Sequence, residues 1–324
     1  MTSAIPGLRV LSPGPKTTIQ DTGRTGYRRH GLAAGGAVDL HAYAWANKLL
    51  DNPFNAACAE IVMGGFRAVA EGDVTIAIAG ANSPVSINGR PVGSWQSHQL
   101  KSGDELDIGY TRSGRFLYLA MAGGIDSAIR FGSRSIVVRE KLDGSEPLRE
   151  GEILRRLAPS PEQSSDIRQV PERFRGQYDD TLTLRLIPGY QIDSFSQDQL
   201  LRLTTSSYTI SEQSDRMGFR LDGTPMADVP PGIVSEGIAI GAVQVPGDGL
   251  PIALLNDCQT IGGYPKPGVI AALDCGRLAQ RLPGQTVRFR FADIADIQNE
   301  RRLFHLHFVR TNWDESGNAL HWTL

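Results

Sequence analysis

The chain has 324 residues, about twice the length of a typical domain, and this length predicts two structural units. Apolar residues make up 40% of it, and the 36 glycines and 19 prolines argue against a bundle of long helices. A formal net charge of −2 without a basic run argues against a nucleic-acid partner. No apolar stretch approaches the roughly 20 residues that span a bilayer, so we expect a soluble, cytoplasmic protein with no membrane partner.

The first predicted element is an α-helix that begins after Asp39. The carboxylate of this residue can accept the free amide hydrogens of a first helical turn. Apolar residues then recur at helical spacing through Leu50, and the sequence Asp-Asn-Pro at 51–53 ends the pattern. We therefore predict a helix between these two signals.

Farther along the chain, two apolar runs predict central strands. Residues 74–79 and 116–122 are nearly continuous in apolar side chains, and each run is followed by glycine. Such runs are typical of strands that are covered on both faces.

The segment 158–180 is the best candidate for a linker. It is rich in Pro, Ser, Gln, Asp and Arg and poor in aliphatic residues. It separates a β-rich N-terminal lobe, 1–157, from a C-terminal lobe, 181–324, that includes a C-terminal extension.

The C-terminal lobe contains two alternating segments and two short helix candidates. Apolar and polar residues alternate in 181–187 and 287–291, as in strands with one buried face. Residues 276–282 and 294–303 are the helix candidates. The whole chain is thus predicted to be mainly β with a few short helices.

The cysteines and histidines give no strong metal-site pattern. Cys58, Cys258 and Cys275 are scattered and odd in number, so buried thiols are expected. His305 and His307 are two residues apart, as on one face of a strand, but they resemble a metal pair only weakly without a third ligand.

The first of three polar, glycine-rich segments runs from Lys16 to Gly26 and continues through 35–39. Glycine lets the backbone approach a ligand closely, and the polar side chains supply donors and acceptors. The candidate binding residues in this segment are Thr18, Gln20, Asp21, Arg24 and Asp39. The residue types alone favour a different explanation, which is a polar hairpin followed by a helix cap.

The second segment, 214–221, carries two arginines four residues apart. Arg216 and Arg220 could present their planar guanidinium groups to a carboxylate or phosphate, with Ser214 shaping the turn. A surface ion-pair cluster explains the same residues equally well.

The third segment runs from Gly241 to Lys266, and here the pattern favours function. The apolar run 252–255 delivers polar side chains at its end, next to a glycine pair. Its candidate site residues are Gln244, Asp257, Gln259, Thr260, Gly262, Gly263, Tyr264 and Lys266. The chain has no P-loop, no Gly-x-Gly-x-x-Gly after a strand and no Gly-x-Ser-x-Gly sequence.

Seven ordered motifs resemble the family called allophanate hydrolase subunit 2 or biotin-dependent carboxyltransferase, and most of all its group of C-type 5-oxoprolinase subunits. They are Thr17–Gly26, Gly123–Asp126, Gly132–Ser133, Ser214–Leu221, Ser235–Gly237, Gly241–Pro246 and Gln259–Lys266. The resemblance spans roughly residues 7 to 295 and implies two cyclophilin-like β-barrel lobes.

The resemblance implies three candidate functions. The first is a subunit of a complex that hydrolyses 5-oxo-L-proline to L-glutamate with ATP and Mg²⁺. Its companion subunits would be an A-type one and a B-type one of the allophanate hydrolase subunit 1 family. The second is a carboxyltransferase component that moves a carboxylate from carboxybiotin, held on a separate carrier, to urea or a related amide. The third is a regulatory subunit that binds a kinase-inhibitor type partner.

Both enzymatic interpretations require that an unreactive amide be held while negative charge develops on it. Oriented donors and a cation should supply most of that stabilisation. We therefore expect Lys266, Asp257 and Asp21 to be catalytic, with Arg216 and Arg24 as further cations. The sequence assigns no metal ligands.

Overall fold

The computed structural model describes residues 5–158 and 167–313 and divides the chain into two compact units. Unit 1 comprises Met1–Arg24, Gly35–Gln177 and His305–Leu324, and unit 2 comprises Thr25–Ala34 and Tyr178–Phe304. The main part of unit 2 therefore begins inside the predicted linker 158–180, of which 159–166 lie outside the described residues. Both units are built mainly from strands, which confirms the predicted fold class.

Unit 1 contains eleven of the described strands, arranged in two sheets. They are β1 (Gly7–Pro13), β2 (Lys16–Gln20), β3 (Cys58–Val62), β4 (Phe66–Glu71), β5 (Val74–Asn82), β6 (Val85–Ile87), β7 (Arg90–Val92), β8 (Gln96–Leu100), β9 (Glu105–Ile108), β10 (Ser113–Met121) and β11 (Ile153–Arg155). The six-stranded sheet has the order β11-β1-β4-β9-β6-β7, and the five-stranded sheet has the order β2-β3-β10-β5-β8.

The two predicted central strands, β5 and β10, pair with each other in the five-stranded sheet. On one face, side chains such as Ile76 and Leu117 join the main apolar cluster of the unit. On the other face the strands contact helix α1 (Leu40–Lys48), where the rings of Tyr43 and Tyr118 meet edge to face. Cover on both faces explains why these strands lack polar alternation.

Helix α1 begins where the sequence predicts. The Asp39 carboxylate accepts hydrogen bonds from the amides of His41 and Ala42, at 3.1 and 3.2 Å. This cap satisfies amide groups that have no partner inside the helix.

Unit 2 contains a closed barrel of seven strands and a two-stranded ribbon. The strands are β12 (Leu182–Pro188), β13 (Tyr208–Ser214), β14 (Gly218–Gly223), β15 (Glu236–Gly237), β16 (Ala242–Gln244), β17 (Ile252–Leu254), β18 (Ile261–Gly262), β19 (Gly268–Ile270) and β20 (Thr286–Phe291). The barrel order is β12-β19-β16-β17-β14-β13-β20, and β15 pairs with β18 to form the ribbon. The predicted strands 181–187 and 287–291 correspond to β12 and β20, which pair in parallel.

Three further helices are α2 (Gln197–Thr205), α3 (Ala272–Ala279) and α4 (Ile294–Arg310). The predicted helix 276–282 corresponds to α3, which begins and ends earlier, and the predicted helix 294–303 continues to Arg310 as α4. His305 and His307 therefore lie on a helix, so their placement on one strand face was wrong. The ring of His307 instead packs against Trp45.

No described group of three or more His, Cys, Asp or Glu side chains is arranged to hold a metal ion. Within the same residues, no helix combines the length and apolar character needed to cross a bilayer.

We expect Gly64→Ala to cost about 3 kcal/mol or more of folding free energy, because it combines a left-handed backbone with a close backbone contact. Gly64 has φ +80°, and a Cβ there would lie 2.0 Å from the carbonyl oxygen of Gly109. Gly103, with φ +90°, has open space around its Cβ position, so Gly103→Ala is the matched control. Gly103→Ala should lower the free energy of unfolding, measured by urea denaturation, by only about 1 kcal/mol. Equal losses of this free energy for both variants would contradict the explanation.

Candidate functional site

Unit 2 contains a cavity of about 510 Å³ that gathers five of the predicted site residues. Those residues are Ser214, Arg220, Gln244, Gln259 and Tyr264. They come from the second and third polar segments of the sequence. A volume of this size suits a small molecule.

Strand register brings this part of the cavity wall together. Arg220 on β14 lies opposite Ile252 on β17, and Ile252 lies opposite Gln244 on β16. Along β14, Arg220 is exposed while its neighbours Phe219 and Leu221 are buried, as the alternation of a strand requires. Arg220 therefore faces away from the interior of the barrel.

The wall carries charges of both signs together with apolar side chains. Glu212 and Asp215 line the same cavity as Arg220. The Asp215 carboxylate also accepts a hydrogen bond of 2.8 Å from the amide of Met217, which fixes the turn between β13 and β14. Ile252 and Leu254 add apolar surface. The cavity can thus contact both polar and apolar parts of a ligand.

Gln244 is the most deeply buried of the predicted polar residues in this cavity, with an exposed fraction of 2%. Its Nε2 atom is buried and has no hydrogen-bond partner among the residues that the structure describes. A buried donor without an acceptor costs about 1–3 kcal/mol, and such a group often marks a place where a ligand or water completes the bond.

Arg216 and Asp257 lie outside the cavity lining and form a buried ion pair with each other. The guanidinium Nε and Nη2 atoms each donate to a different oxygen of the Asp257 carboxylate at 2.8 Å. The backbone repeats the link, because the amide of Asp257 donates to the carbonyl oxygen of Arg216 at 2.9 Å. The guanidinium group of Arg216, which the sequence suggested could bind a carboxylate or phosphate, therefore binds a carboxylate of the chain itself.

Lys266 is held in a second polar network. Its Nζ atom lies 2.6 Å from an oxygen of Glu236 and donates to the carbonyl oxygen of Tyr264 at 3.3 Å. Gln191 accepts from the amide of Lys266 at 3.0 Å and donates to Glu236 at 3.2 Å. The ion pair ties the ammonium group to strand β15 of the ribbon.

Glu236 and Gln191 were not predicted as site residues. Glu236 lies in Ser235–Gly237, one of the motifs that carry the family resemblance, and this was the available signal. Gln191 lies far from Glu236 in sequence and belongs to none of the quoted motifs, so no signal could have identified it.

The remaining predicted residues of the third segment make backbone contacts in the ribbon or beside it. The carbonyl oxygen of Thr260 accepts from Ile238 at 2.9 Å, and that of Gly263 accepts from Ile233 at 2.8 Å. Gly262 pairs with Glu236. None of the three predicted residues lines the described cavity.

In unit 1, Asp21 organises a polar cluster. Its carboxylate accepts hydrogen bonds from the hydroxyls of Ser133 and Ser135, at 2.6 and 2.5 Å, and from the amides of Arg134 and Gly23, at 2.6 and 2.8 Å. Four donors on one buried carboxylate favour a role in holding the loop 133–135 in place.

The other predicted residues of the first segment lie in related networks of unit 1. Gln20 donates from Nε2 to Thr18 at 3.0 Å and to the carbonyl oxygen of Ile136 at 2.8 Å. Arg24 is 4% exposed and contacts Glu140 at 2.5 Å. Asp39 caps helix α1, as described above.

A buried tyrosine and carboxylate support the start of α1. The Tyr118 hydroxyl accepts from the amide of Asp39 at 2.8 Å and donates to Glu60 at 2.7 Å. Burial, followed by the nearby Glu60 carboxylate, raises the pKa of Tyr118 well above its ordinary value. The phenol therefore stays protonated and can keep donating at neutral pH.

All three cysteines are buried within the described residues and none forms a disulfide, as the sequence predicts. Burial raises the pKa of Cys275 to about 12 and also raises the pKa of Cys58. Because the thiolate is the reactive form, neither group is suited to nucleophilic chemistry at neutral pH.

Most of the chain is similar in sequence to a known protein family. The sequence model of the family described as "Carboxyltransferase domain, subdomain A and B" matches residues 30–291. The chain is 33% identical over 312 residues to the C-type subunit of 5-oxoprolinase from Escherichia coli strain K12, covering 94% of this chain and 98% of that protein.

Solved structures show the same fold. The crystal structure of TTHA0988 has a TM-score of 0.80 at 30% identity, covering 89% of this chain and 57% of the solved one. The Kluyveromyces lactis urea carboxylase has a TM-score of 0.85 at 22% identity, covering 94% of this chain and 29% of that protein. This chain therefore spans a little over half of the first solved chain and under a third of the second. The family match and the near full-length relative establish that the chain belongs to the carboxyltransferase domain family.

Proposed function

We propose that this chain is a subunit of an ATP-dependent 5-oxoprolinase-type complex that opens the lactam of 5-oxo-L-proline to give L-glutamate. The likeness to the C-type subunit of a 5-oxoprolinase supports the reaction, because it extends over nearly the whole of both chains. The observation that carries the proposal is the cavity in unit 2. Five polar residues from the motifs that resemble the family line this cavity, and its volume suits a small amide.

The reaction breaks the lactam C–N bond, and water supplies the oxygen of the new carboxyl group. The lactam is poorly reactive, so ATP transfers its terminal phosphoryl group to the lactam oxygen and leaves as ADP. Water then attacks the activated carbonyl carbon, the C–N bond breaks as the nitrogen takes up a proton, and hydrolysis of the remaining acyl phosphate releases phosphate and L-glutamate. Mg²⁺ would accompany ATP and neutralise its phosphates.

In this proposal, the residues of the cavity bind and orient the cyclic amide. Gln244 and Gln259 supply neutral amide groups, Ser214 supplies a hydroxyl, and Arg220 supplies a cation to the wall. Lys266 and Asp257 are proposed to act within the same unit, each held by a partner, Glu236 and Arg216 respectively. Such preorganised donors and charges are the usual source of stabilisation when an amide oxygen gains negative charge.

The proposed partners are two companion subunits, a B-type one of the allophanate hydrolase subunit 1 family and an A-type one. The relative's name describes one subunit of an enzyme, and this supports the need for companion chains. We expect the chain to be cytoplasmic and to have weak activity or none by itself.

The second candidate function is carboxyl transfer from carboxybiotin on a separate carrier to urea or a related amide. Membership of a family described as a carboxyltransferase domain favours it specifically. The fold that the chain shares with a urea carboxylase is consistent with this function.

Reconstitution distinguishes the two candidates. The purified chain is combined with its companion subunits, ATP, Mg²⁺ and 5-oxo-L-proline, and glutamate is measured. A parallel reaction contains urea and carboxybiotin. We expect glutamate release that depends on this chain; release that is unchanged when the chain is omitted would refute the proposal, and carboxylation of urea would favour the alternative.

A further inference from the structure

We propose that the guanidinium group of Arg220 binds the carboxylate of 5-oxo-L-proline in the cavity of unit 2, so that the site selects small amides that carry a single negative charge. The inference rests on the proposed function, because it takes the cyclic amide as the ligand. It goes further by assigning the group of the chain that holds the carboxylate and by predicting that neutral amides bind weakly.

Arg220 lies on the face of the barrel wall that borders the cavity. Its neighbours in strand β14, Phe219 and Leu221, are buried, while Arg220 is exposed. Arg220 lies directly opposite Ile252 on β17, and residues that are opposite each other in an antiparallel pair project from the same face of a sheet. Both Arg220 and Ile252 line the cavity. The side chain of Arg220 therefore projects on the side of the wall where a ligand in the cavity would lie.

The guanidinium group of Arg220 is available to a ligand. Among the described residues, it forms no hydrogen bond and no ion pair. The other arginine of the same sequence segment, Arg216, is 6% exposed and already binds the Asp257 carboxylate through two hydrogen bonds. A guanidinium group presents parallel N–H donors that match the two oxygens of a carboxylate. Of these two arginines, Arg220 is thus the one that can bind a carboxylate from the cavity.

The charges around Arg220 favour a ligand with one negative charge. Glu212 and Asp215 also line the cavity, and neither forms an ion pair with Arg220 within the described part of the chain. Repulsion from these two carboxylates grows with the charge of the ligand, so it opposes a nucleotide polyphosphate far more than a single carboxylate. The cavity wall therefore suits a monoanion better than a polyanion.

The rest of the lining suits the uncharged part of the ligand. Ile252 and Leu254 provide apolar surface, and Gln259 and Tyr264 provide an amide and a hydroxyl group. Ring methylene groups can pack on the apolar side chains, and a lactam can bond to the polar ones. 5-Oxo-L-proline combines a carboxylate, ring methylene groups and a lactam in one small molecule. Urea has neither the carboxylate nor the methylene groups, so it matches this lining less well.

Binding to the full-length chain is measured by ligand-observed NMR titration at neutral pH. 5-Oxo-L-proline carries an ionised carboxylate at this pH, and its carboxamide, L-pyroglutamide, keeps the ring and the lactam but has no charge. We expect 5-oxo-L-proline to bind about tenfold more tightly than the carboxamide, as one charge-assisted pair requires. Urea and inorganic phosphate should both bind more weakly than 5-oxo-L-proline.

Two substitutions of Arg220 test the assignment. Arg220→Gln removes the charge and should weaken 5-oxo-L-proline binding by about tenfold while leaving the affinity for the carboxamide unchanged. This difference isolates the contact between the side chain and the ligand carboxylate. Arg220→Lys keeps the charge but not the parallel donors, so it should cause a smaller loss. Because Arg220 is exposed, neither change should alter the melting temperature.

Arg290→Gln is the matched control. Arg290 is an exposed arginine on strand β20 of the same barrel and does not line the cavity, so its loss should leave both affinities unchanged. The inference is overturned if the wild-type chain does not bind 5-oxo-L-proline or binds it no more tightly than the carboxamide. It is also overturned if phosphate binds more tightly, if Arg220→Gln keeps wild-type affinity, or if Arg290→Gln loses as much affinity as Arg220→Gln.

These outcomes separate the inference from the proposed function. Binding of 5-oxo-L-proline that depends on Arg220, in a chain whose complex releases no glutamate, would refute the function alone. Glutamate release that requires the chain but shows the same KM for 5-oxo-L-proline with Arg220→Gln would refute the inference alone.

Discussion

Asp257→Asn is expected to lower the free energy of unfolding by about 3–5 kcal/mol, because it leaves a buried guanidinium without its carboxylate. Arg216 and Asp257 are each 6% exposed and share two hydrogen bonds of 2.8 Å. The asparagine has nearly the shape of aspartate, so the loss reports charge rather than volume. Urea denaturation followed by circular dichroism measures it.

Glu71→Gln is the matched control for this prediction. It removes the charge from a carboxylate that also pairs with an arginine at 2.8 Å, but in the Arg9–Glu71 pair the side chains are 44% and 37% exposed. Exposed pairs are worth about 0–1 kcal/mol, so the control should change stability little. If Asp257→Asn lowers the free energy of unfolding no more than the control does, burial does not increase the contribution of this ion pair to stability.

Lys266→Ala is expected to lower the turnover of 5-oxo-L-proline by the assembled complex by about 10²–10³-fold, the usual effect of removing one preorganised charge from a reacting amide. The ammonium group is 2.6 Å from Glu236 and the residue is 9% exposed, so it is held in one place rather than moving freely in water. Initial rates of glutamate release provide the measurement.

Two further variants show whether a change in turnover is specific to the Lys266 ammonium group. Lys101→Ala removes a lysine whose side chain is 72% exposed in unit 1, and we expect it to leave turnover unchanged. Glu236→Gln keeps the ammonium group but removes its anchor, so it should lower turnover by less than Lys266→Ala. Wild-type turnover with Lys266→Ala in a folded chain would remove this residue from the site.

Local patterns in the sequence were enough to predict much of the fold. The runs in β5 and β10, the alternation in β12 and β20, and the Asp39 cap all depend on residues close together in the chain. Burial of both faces or of one face leaves a direct trace in such segments. The predicted strand face for His305 and His307 failed because a two-residue spacing does not exclude a helix.

The partners of the site residues could not be predicted, because they come from distant parts of the chain. Asp21 is held by serines more than 100 residues away. Arg28 donates from Nη2 to the carbonyl oxygens of Ile238 and Gln259, at 2.7 and 3.0 Å, and so ties an early segment to residues beside the ribbon strands of unit 2. Nothing in residue type or spacing specifies such contacts.

The sequence was nonetheless informative about the cavity. Residues of the second and third polar segments, such as Arg220 and Gln244, meet there because β14, β17 and β16 are neighbours in the barrel. Strand order is a property of the whole unit. The sequence therefore identified each polar segment separately, but it could not predict that the segments lie side by side around one cavity.

The most direct test of the central claim is the initial rate of glutamate release from 5-oxo-L-proline in three preparations of the complex. One contains the wild-type chain, one contains the Arg220→Gln chain, and one lacks the chain, each with the substrate below its KM. We predict a high rate in the first, a rate lower by about tenfold in the second, and little or none in the third. Equal rates in all three would contradict both the proposed function and the assignment of the cavity in unit 2 as its site.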